Sequence, residues 1–323
     1  MLLMAEAGFL KVSASVIPGF EGIAAAEVKE LTGAEAAADV AGIVAFHLGK
    51  LGDLCRLCYL SQSISSVFLQ KGGKNLGLKA FDFGPREYAV SGSSGELPGH
   101  LAYCLLRLSG YNGRQVLFDP FAIAGSIAIE AALYSSGFPV NYYRENALKS
   151  AFSALPGLKD VDFEAFFSMA LKESEAAAKH RLKKSAPGII CASDSMQNVR
   201  FAEKNAKIAG VNKLIRFSRL DIEWLDAKLD ERSVDLVVSY PPKFKSGSGD
   251  FAKAENRKVG KLYNDFFYNA VFFLHPEGRA VFLLKGSSSG HVTAAASKNK
   301  FKAKILRKFS LGGDDFEVLE FSR

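Results

Sequence analysis

The chain has 323 residues, of which 48% are hydrophobic and 23% charged, so it has enough apolar residues for a large core and a length that favours two domains. No apolar run reaches the roughly 18 residues of a membrane-spanning helix, and residues 1–10 lack the basic start of a signal peptide. We therefore expect a cytoplasmic protein without a membrane segment, and the formal net charge of +7 favours a polyanionic partner.

Residues 1–90 predict a small α+β domain of ferredoxin-like type that ends in a linker. GFLKVSASVI alternates like a strand, VIPGFEGIAAAEVKELTG has apolar residues at helical spacing, and AGIVAFHLG is a second strand. Residues 51–70 predict a second helix, and residues 71–96 are rich in Gly, Ser and charge, as in a linker. Cys55 and Cys58 form a C-x-x-C without a partner pair, so we expect them to pack in the core rather than bind zinc.

From about residue 97 the pattern changes to short apolar runs that alternate with helical segments. The runs are RQVLFDP, PGIICASD, KLIRFSRLD, VDLVVSYPP and GRAVFLLKG, and they predict a mostly parallel, doubly wound α/β sheet. FKAKILRKF and FEVLEFSR close the chain without a helix between them, which predicts an antiparallel hairpin at one edge. Residues 137–187 interrupt the alternation, and we interpret them as an insertion, with a helix of its own, over one end of the sheet.

Polar or turn-forming residues follow four of these strands, and they are Asp119, Asp194, Asp221 and Tyr240. In open α/β sheets, ligands bind beyond the carboxyl ends of the strands, so we expect one shared site. A nucleoside cofactor would approach the turn at Gly125-Ser126, place its ribose against Asp194 and place its adenine amine against Asp221. The alternative is that the two acids cap the helices that follow them, since Asp is a preferred N-cap residue.

Several segments, taken in order, carry a family resemblance. LFDPFAIAGSIAIEAAL is similar to the motif Asp-Pro-x-x-Gly-Ser-Gly-Thr-x-x-x-Glu-Ala-Ala of the THUMP-associated RNA methyltransferases, a group that includes guanine-N2 methyltransferases of ribosomal RNA and tRNA. SDSMQNVRFAEKNAKIAGV and VDLVVSYPP resemble the next motifs of that family, and VIPGFEGIAAAEVKELTG resembles the start of its RNA-binding half. The resemblance covers residues 10–50 and 86–323. It implies a Rossmann-like methyltransferase domain at residues 91–323 that uses S-adenosylmethionine to methylate an exocyclic amine, such as guanine N2, of tRNA or rRNA.

The resemblance also implies two sets of site residues. Those for the cofactor are Asp119, Pro120, Ala124, Gly125, Ser126, Asp194, Ser195 and Asp221. Those for the target amine are Tyr240, Pro241, Pro242 and Phe244. The alternative for Pro241-Pro242 is an ordinary rigid loop after a strand.

The chain departs from the family motifs in both parts of the site. Ile123 stands where the first motif has a glycine, and a β-branched residue does not take a positive φ comfortably. Tyr240 replaces the Asn or Asp that accepts from the substrate amine, and Lys243 replaces the stacking aromatic, with Phe244 one residue later. Because orientation of the attacking nitrogen lowers the barrier, the loss of a side-chain acceptor predicts a slow enzyme or an inactive one.

The distribution of charge and the size of the first domain bear on RNA binding. Residues 243–323 carry 15 Lys and Arg against 8 Asp and Glu, which accounts for the whole net charge and suits RNA. The alternative is that the lysines of FKAKILRKF are the solvated face of a strand. About 90 residues precede the methyltransferase domain, fewer than is usual in the family, so we expect a shortened THUMP region. Its candidate RNA contacts are Lys71, Lys74, Lys79 and Arg86.

Three hypotheses follow from the sequence. The first is an S-adenosylmethionine-dependent RNA methyltransferase that needs no metal. The second is a non-catalytic RNA-binding protein with the same fold, which the altered motifs favour. The third, an NAD-dependent oxidoreductase, is disfavoured because no G-x-G-x-x-G follows the first strand of the large sheet.

Overall fold

The computed structural model divides into two compact units, each built from several stretches of chain. The residues that it describes are 10–71, 74–77, 83–92, 95–155, 158–159, 161–181, 188–245, 247 and 249–323. The first unit draws on residues 1–87, 98–104 and 133–184. The second unit draws on residues 88–97, 105–132 and 185–323.

The described helices and strands follow one another in a fixed order along the chain. In that order they are β1 (Leu10–Ser15), α1 (Glu21–Thr32), β2 (Ala36–Val40), β3 (Ile43–Leu48), α2 (Leu51–Leu60), β4 (Ser66–Lys71), β5 (Lys74–Gly77), α3 (Gly99–Leu108), β6 (Leu117–Asp119), α4 (Ser126–Ser136), α5 (Glu145–Ser153), α6 (Phe163–Arg181), β7 (Ile189–Ser193), α7 (Met196–Ile208), β8 (Ile215–Arg219), β9 (Val234–Ser239), α8 (Asp250–Phe273), β10 (Leu274–Lys285), α9 (Gly286–Lys298), β11 (Lys302–Leu311) and β12 (Asp314–Ser322). Among these described helices, none is long and apolar enough to cross a membrane.

The first unit contains an antiparallel sheet in the order β2-β3-β1-β4-β5. The elements from β1 to β4 follow the β-α-β-β-α-β order of a ferredoxin-like fold, which confirms the predicted type. Cys55 and Cys58 are buried on α2, and burial raises the pKa of the Cys55 thiol to about 12. The two thiols therefore belong to the core of this unit, as expected.

The predicted second helix, residues 51–70, is wrong in its second half. The helix ends at Leu60, and β4 follows and pairs with β1. The intervening turn forms around the buried carboxylate of Glu27, which accepts from the Ser61 hydroxyl at 2.7 Å and from the Gln62 backbone N–H at 2.8 Å. Hydrogen bonds of serine hydroxyls compete with the backbone hydrogen bonds of a helix. The helix therefore ends before these serines.

The candidate RNA contact Arg86 is also wrong, because its side chain is buried. Its guanidinium donates to the backbone oxygens of Gln62 at 2.6 Å and Phe83 at 3.0 Å, so it serves the structure of the first unit. Lys79 and the side chains of Lys71 and Lys74 lie outside the described residues.

The segment 137–187 is expected as an insertion over one end of the large sheet, but the structure assigns its helices to the first unit. Its helices α5 and α6 pack within the first unit, where Tyr59 of α2 lies 4.9 Å from Phe167, centroid to centroid, and Phe152 stacks on Phe163 at 5.3 Å. The apolar face of α6 thus joins the core of the small unit. Residues 182–187 lie outside the described part of the chain.

The second unit contains a seven-stranded sheet in the order β11-β12-β10-β9-β6-β7-β8. The strands from β10 to β8 are parallel to one another, whereas β12 is antiparallel to β10 and to β11. This confirms the predicted doubly wound sheet with an antiparallel hairpin at one edge. Phe118 of the central strand β6 pairs with Ile190 of β7 on one side and Val237 of β9 on the other. The chain therefore changes direction along the sheet beside β6, which is where such sheets bind ligands.

The long helix α8 is fixed to this sheet by aromatic packing. The ring of Phe266 lies 5.2 Å from that of Phe282 on β10, and Phe273 meets Phe118 edge to face at 5.7 Å. All four side chains are fully buried. Residues on the exposed face of α8 therefore project from a rigid support.

Candidate active site

A cleft of about 330 Å³ opens beyond the carboxyl ends of β6, β7 and β9. Its lining comprises Gly95, Pro120, Phe121, Ala122, Ile123, Ser193, Asp194, Asn198, Ile222, Tyr240, Pro241, Pro242, Lys243 and Leu262. A smaller void of about 20 Å³ shares five of these residues and is also lined by Glu96, Asp119, Gly125 and Ser126. The structure thus brings most of the predicted residues to one place. Ala124, Ser195, Asp221 and Phe244 lie outside the lining of both spaces.

The turn between β6 and α4 requires glycine at one position. Gly125 has a φ of 84°, and a Cβ added there would lie 2.8 Å from the Cβ of Ala202 on α7 and 3.6 Å from the Sγ of Cys191. Both the backbone conformation and the close approach of α7 therefore exclude a side chain. Among the described non-glycine residues, only Arg232 and Lys300 have a positive φ. Ile123 consequently replaces the family's glycine without the backbone strain that the sequence suggested.

A buried amide fixes this turn from below. Asn205 of α7 donates through Nδ2 to the backbone oxygens of Ser91 at 2.7 Å and Ala124 at 3.1 Å, and its Oδ1 accepts from the Ser91 N–H at 3.1 Å. The Ala122 N–H also donates to the Ala192 oxygen of β7 at 3.0 Å. These bonds fix the backbone of the turn, including that of Ala124. Ala124 therefore contributes to the shape of the turn although its side chain does not line the cleft.

Asp119 ties two strand ends together. Its Oδ1 accepts from the Ser239 hydroxyl at the end of β9 and from the Phe121 N–H at 3.3 Å. Burial raises the pKa of this carboxyl to about 7, the hydrogen bonds from Ser239 and Phe121 oppose the rise, and the nearby charge of Glu96 adds to it. At neutral pH the site therefore holds an acid that is poised between its charged and neutral forms.

Glu96 is a site residue that the sequence did not reveal. Its Oε1 accepts from the Ser126 hydroxyl at the start of α4, whereas its Oε2 is buried and has no hydrogen-bond partner among the described residues. Burial raises the pKa of this carboxyl, and the hydrogen bond from Ser126 opposes the rise. Glu96 lies in a Gly/Ser-rich loop, where an acid carries no sequence signal, and only its position before α3 places it at the turn.

The acids after β7 and β8 do not cap helices with their side chains. Helix α7 is capped by Ser195, whose hydroxyl accepts from the Asn198 N–H at 3.4 Å, so Asp194 stays exposed in the cleft lining. Asp221 begins the short helical turn of Ile222–Trp224 without a side-chain bond and is also exposed. The capping alternative is therefore wrong for both acids. Ile222, rather than Asp221, reaches the cleft.

The loop after β9 presents Tyr240 to the cleft and holds Phe244 away from it. Tyr240 is half-buried, and burial raises the pKa of its phenol, which the charge of Lys285 opposes. The Pro242 oxygen accepts from the Tyr263 hydroxyl at 2.7 Å. Phe244 stacks on His291 at 4.5 Å and on Tyr263 at 5.9 Å, which differs from the prediction that it stacks on the substrate base.

A glycine turn against a parallel sheet, a cleft at the point where the strand order reverses and a Pro-Pro loop after the fourth parallel strand together define a methyltransferase fold. Residues 86–315 match the UPF0020 family, described as the RMKL-like methyltransferase domain. The chain belongs to this family. The predicted family of S-adenosylmethionine-dependent methyltransferases and its fold are thereby confirmed.

Known proteins resemble the chain over different parts of its length. It is 27% identical over 229 residues to the tRNA (guanine(6)-N2)-methyltransferase of Methanocaldococcus jannaschii, which covers 71% of this chain and 54% of that protein. It is 25% identical over 215 residues to the ribosomal RNA large subunit methyltransferase K/L of Buchnera aphidicola, which covers 64% of this chain and 27% of that protein. The chain thus spans about half of the first relative and about a quarter of the second.

The likeness of the fold extends further than that of the sequence. The crystal structure of SMU.472, solved as a complex with SAH, has a TM-score of 0.71 and a sequence identity of 16%. It covers 98% of each chain. The fold therefore occurs in another protein over nearly the full length of both chains.

Proposed function

We propose that the chain is an S-adenosylmethionine-dependent methyltransferase that methylates an exocyclic amine of an RNA base, with guanine N2 of tRNA or rRNA as the target. The observation that carries the proposal is the single cleft that joins the glycine turn, Asp194 and the Tyr240-Pro241-Pro242 loop. The two relatives, whose names specify tRNA guanine N2 and ribosomal RNA, support the substrate class. A cytoplasmic location follows from such substrates.

The residues present fit the cofactor. The turn at Gly125 packs against α7 and, together with Glu96 and Ser126, lines the small void beside the cleft. The orphaned Oε2 of Glu96 suits the ammonium group of the amino-acid portion, since a buried carboxylate oxygen needs a donor or a cation. Asp194 offers an exposed carboxylate to two ribose hydroxyls, and Ile222 offers an apolar surface to the adenine.

When bound, S-adenosylmethionine would supply an electrophilic methyl group on its sulfonium for transfer to the amine nitrogen, with the thioether of S-adenosylhomocysteine as the leaving group. The amine nitrogen then loses a proton to water. Tyr240 is a neutral phenol at pH 7, and burial raises its pKa further above the ordinary value. The phenol oxygen accepts one hydrogen bond from the target amine, and its ring offers a face to the base. Tyr240 therefore orients the amine instead of removing its proton, and this orientation lowers the barrier.

A second candidate function has a specific observation in its favour. Lys243 lines the cleft where the family has an aromatic residue, and Phe244 is held in a stack outside it. These features suit a protein of this fold that binds RNA without catalysis. Such a protein has no need of the cofactor.

Calorimetry with S-adenosylmethionine and with S-adenosylhomocysteine separates the two candidates. We expect one site per chain, and we expect Asp194→Ala to weaken binding at least about tenfold, because it removes the ribose acceptor. The control Asp226→Ala changes an exposed carboxylate outside the cleft and leaves binding unchanged. Absence of heat at millimolar cofactor would overturn the proposal in favour of the second candidate.

The reaction itself is tested with a radioactive methyl group. Unmodified tRNA and rRNA transcripts are incubated with the labelled cofactor, digested to nucleosides and separated by chromatography. The proposal expects label in N2-methylguanosine. Label in any other nucleoside would refute guanine N2 as the target while leaving the methyltransferase activity in place.

A further inference from the structure

A second concave surface lies in the second unit between helices α8 and α9, and we call it the α8–α9 groove. It has a volume of about 510 Å³. Its lining comprises Phe244, Lys253, Asn256, Arg257, Gly260, Asn264, His291, Ala294, Ala295 and Lys298. The described lining contains three cations and no carboxylate, together with polar amides.

The cations of the groove are incompletely neutralised. Arg257 and Lys298 are exposed, and neither forms an ion pair within the described part of the chain. Lys253 has Asp250 for a partner at a separation of 3.9 Å, where both side chains are exposed and the attraction is weak. Like charges that face one groove repel one another. A polyanion in the groove removes this repulsion and releases its own counterions.

The floor and the rim of the groove are ordered by local contacts. Asn256 accepts from the Lys245 N–H at 2.7 Å and donates to the Lys245 oxygen at 3.0 Å, which fixes the loop after β9 to α8. The part of the groove wall that Phe244 contributes is therefore held in place by this loop.

Residues that are neighbours in the sequence line the α8–α9 groove and the cleft. Lys243 lines the cleft and Phe244 lines the groove, and the Cα atoms of consecutive residues are about 3.8 Å apart. Helix α8 likewise gives Leu262 to the cleft and Asn264 to the groove. The cleft and the groove therefore share the loop after β9 and helix α8 as walls.

The other concentration of basic residues does not form a comparable surface. Lys302 and Lys304 are exposed on the edge strand β11, and Lys308 pairs with Glu317 at 2.5 Å. Lysines on an edge strand prevent pairing with other sheets. These residues therefore match the alternative in which they are the solvated face of a strand.

From these observations we propose that the α8–α9 groove binds the sugar-phosphate backbone of the RNA whose base enters the cleft. Arg257, Lys298 and Lys253 contact its phosphates. This assignment rests on the proposed RNA methyltransferase function, and it names the surface that holds the substrate.

The experiment measures the affinity for a fluorescein-labelled tRNA transcript by anisotropy at several salt concentrations. The test variant is Arg257→Glu with Lys298→Glu. The matched control is Lys213→Glu with Arg216→Glu, which makes the same change of charge on exposed residues at or next to β8, the opposite edge strand of the sheet. Calorimetry with S-adenosylhomocysteine on each variant verifies that the second unit is folded.

We expect the test variant to bind the transcript at least about tenfold more weakly, with a salt slope smaller by about 0.7 for each phosphate that the protein no longer neutralises. The control variant keeps the wild-type affinity within about twofold, and both variants bind S-adenosylhomocysteine normally. Equal RNA affinity in the two variants would overturn the groove while leaving the proposed function intact. A wild-type protein that binds S-adenosylhomocysteine but no RNA at low salt would overturn the RNA substrate itself. Single-stranded DNA that binds as tightly as RNA would overturn the assignment to RNA.

Discussion

Asp119→Asn removes an ionisable group whose pKa the fold raises to about 7, compared with about 3.9 for an unfolded chain. The folded protein therefore binds this proton more tightly than the unfolded one, so the stabilisation is complete below about pH 4 and is lost as the pH rises towards 7. The shift of about three units corresponds to about 4 kcal/mol of unfolding free energy. Asparagine keeps an oxygen that accepts from Ser239 and Phe121 and has no proton to lose.

The expected result is a change in the relative stability of the two proteins with pH. Between pH 4.5 and 8, the wild type should lose about 3 kcal/mol of unfolding free energy relative to Asp119→Asn, because part of the loss occurs below pH 4.5. Urea unfolding followed by tryptophan fluorescence measures this difference for the second unit, because the chain has one tryptophan, Trp224, which lies there. Asp230→Asn, at an exposed carboxylate, serves as the control and should leave the pH dependence unchanged. A constant difference between wild type and Asp119→Asn across this range would refute the reasoning about burial.

Gly125→Ala should lower the unfolding free energy of the second unit by more than about 2 kcal/mol, because the positive φ and the contact with α7 both oppose a Cβ. The control Gly290→Ala, in open space on α9, should raise the unfolding free energy by up to about 1 kcal/mol. Urea titration checks both, and equal effects would contradict the described turn. Glu96→Gln should weaken S-adenosylhomocysteine about tenfold and leave 5′-methylthioadenosine, which lacks the amino-acid portion, unaffected in calorimetry. Tighter binding by Glu96→Gln would mean that the carboxylate obstructs the cofactor. Tyr240→Phe should slow methyl transfer to RNA about tenfold, because it removes the phenol acceptor and keeps the ring, and Tyr240→Ala should abolish it, whereas wild-type rates in both variants would remove Tyr240 from the mechanism.

The large sheet was predictable because each of its strands is a short apolar run with turn-forming residues at its end. The same pattern located Asp194 and Tyr240 in the cleft, since parallel strands end on one edge. Apolar periodicity shows which face of a helix is buried but not which core it joins. The sequence therefore predicts the helix α6 but not its place in the core of the first unit.

Contacts between distant segments were not predictable in this way. Phe244 follows the Pro-Pro loop directly, yet its direction is set by His291 and Tyr263, which come from two other helices. Glu96 reaches the glycine turn from a loop before α3, and its partner Ser126 lies thirty residues away. Sequence motifs record the residues of a loop, whereas packing against the rest of the unit decides which of them face a ligand.

Cys191 provides a way to measure the opening of the turn at Gly125. Its thiol lies directly beneath Gly125 and is fully buried, and burial raises its pKa well above the ordinary value. A thiol in this state reacts with an alkylating reagent only while the turn is open, so its labelling rate measures how often the turn opens. A ligand that holds the turn closed therefore lowers the labelling rate of Cys191.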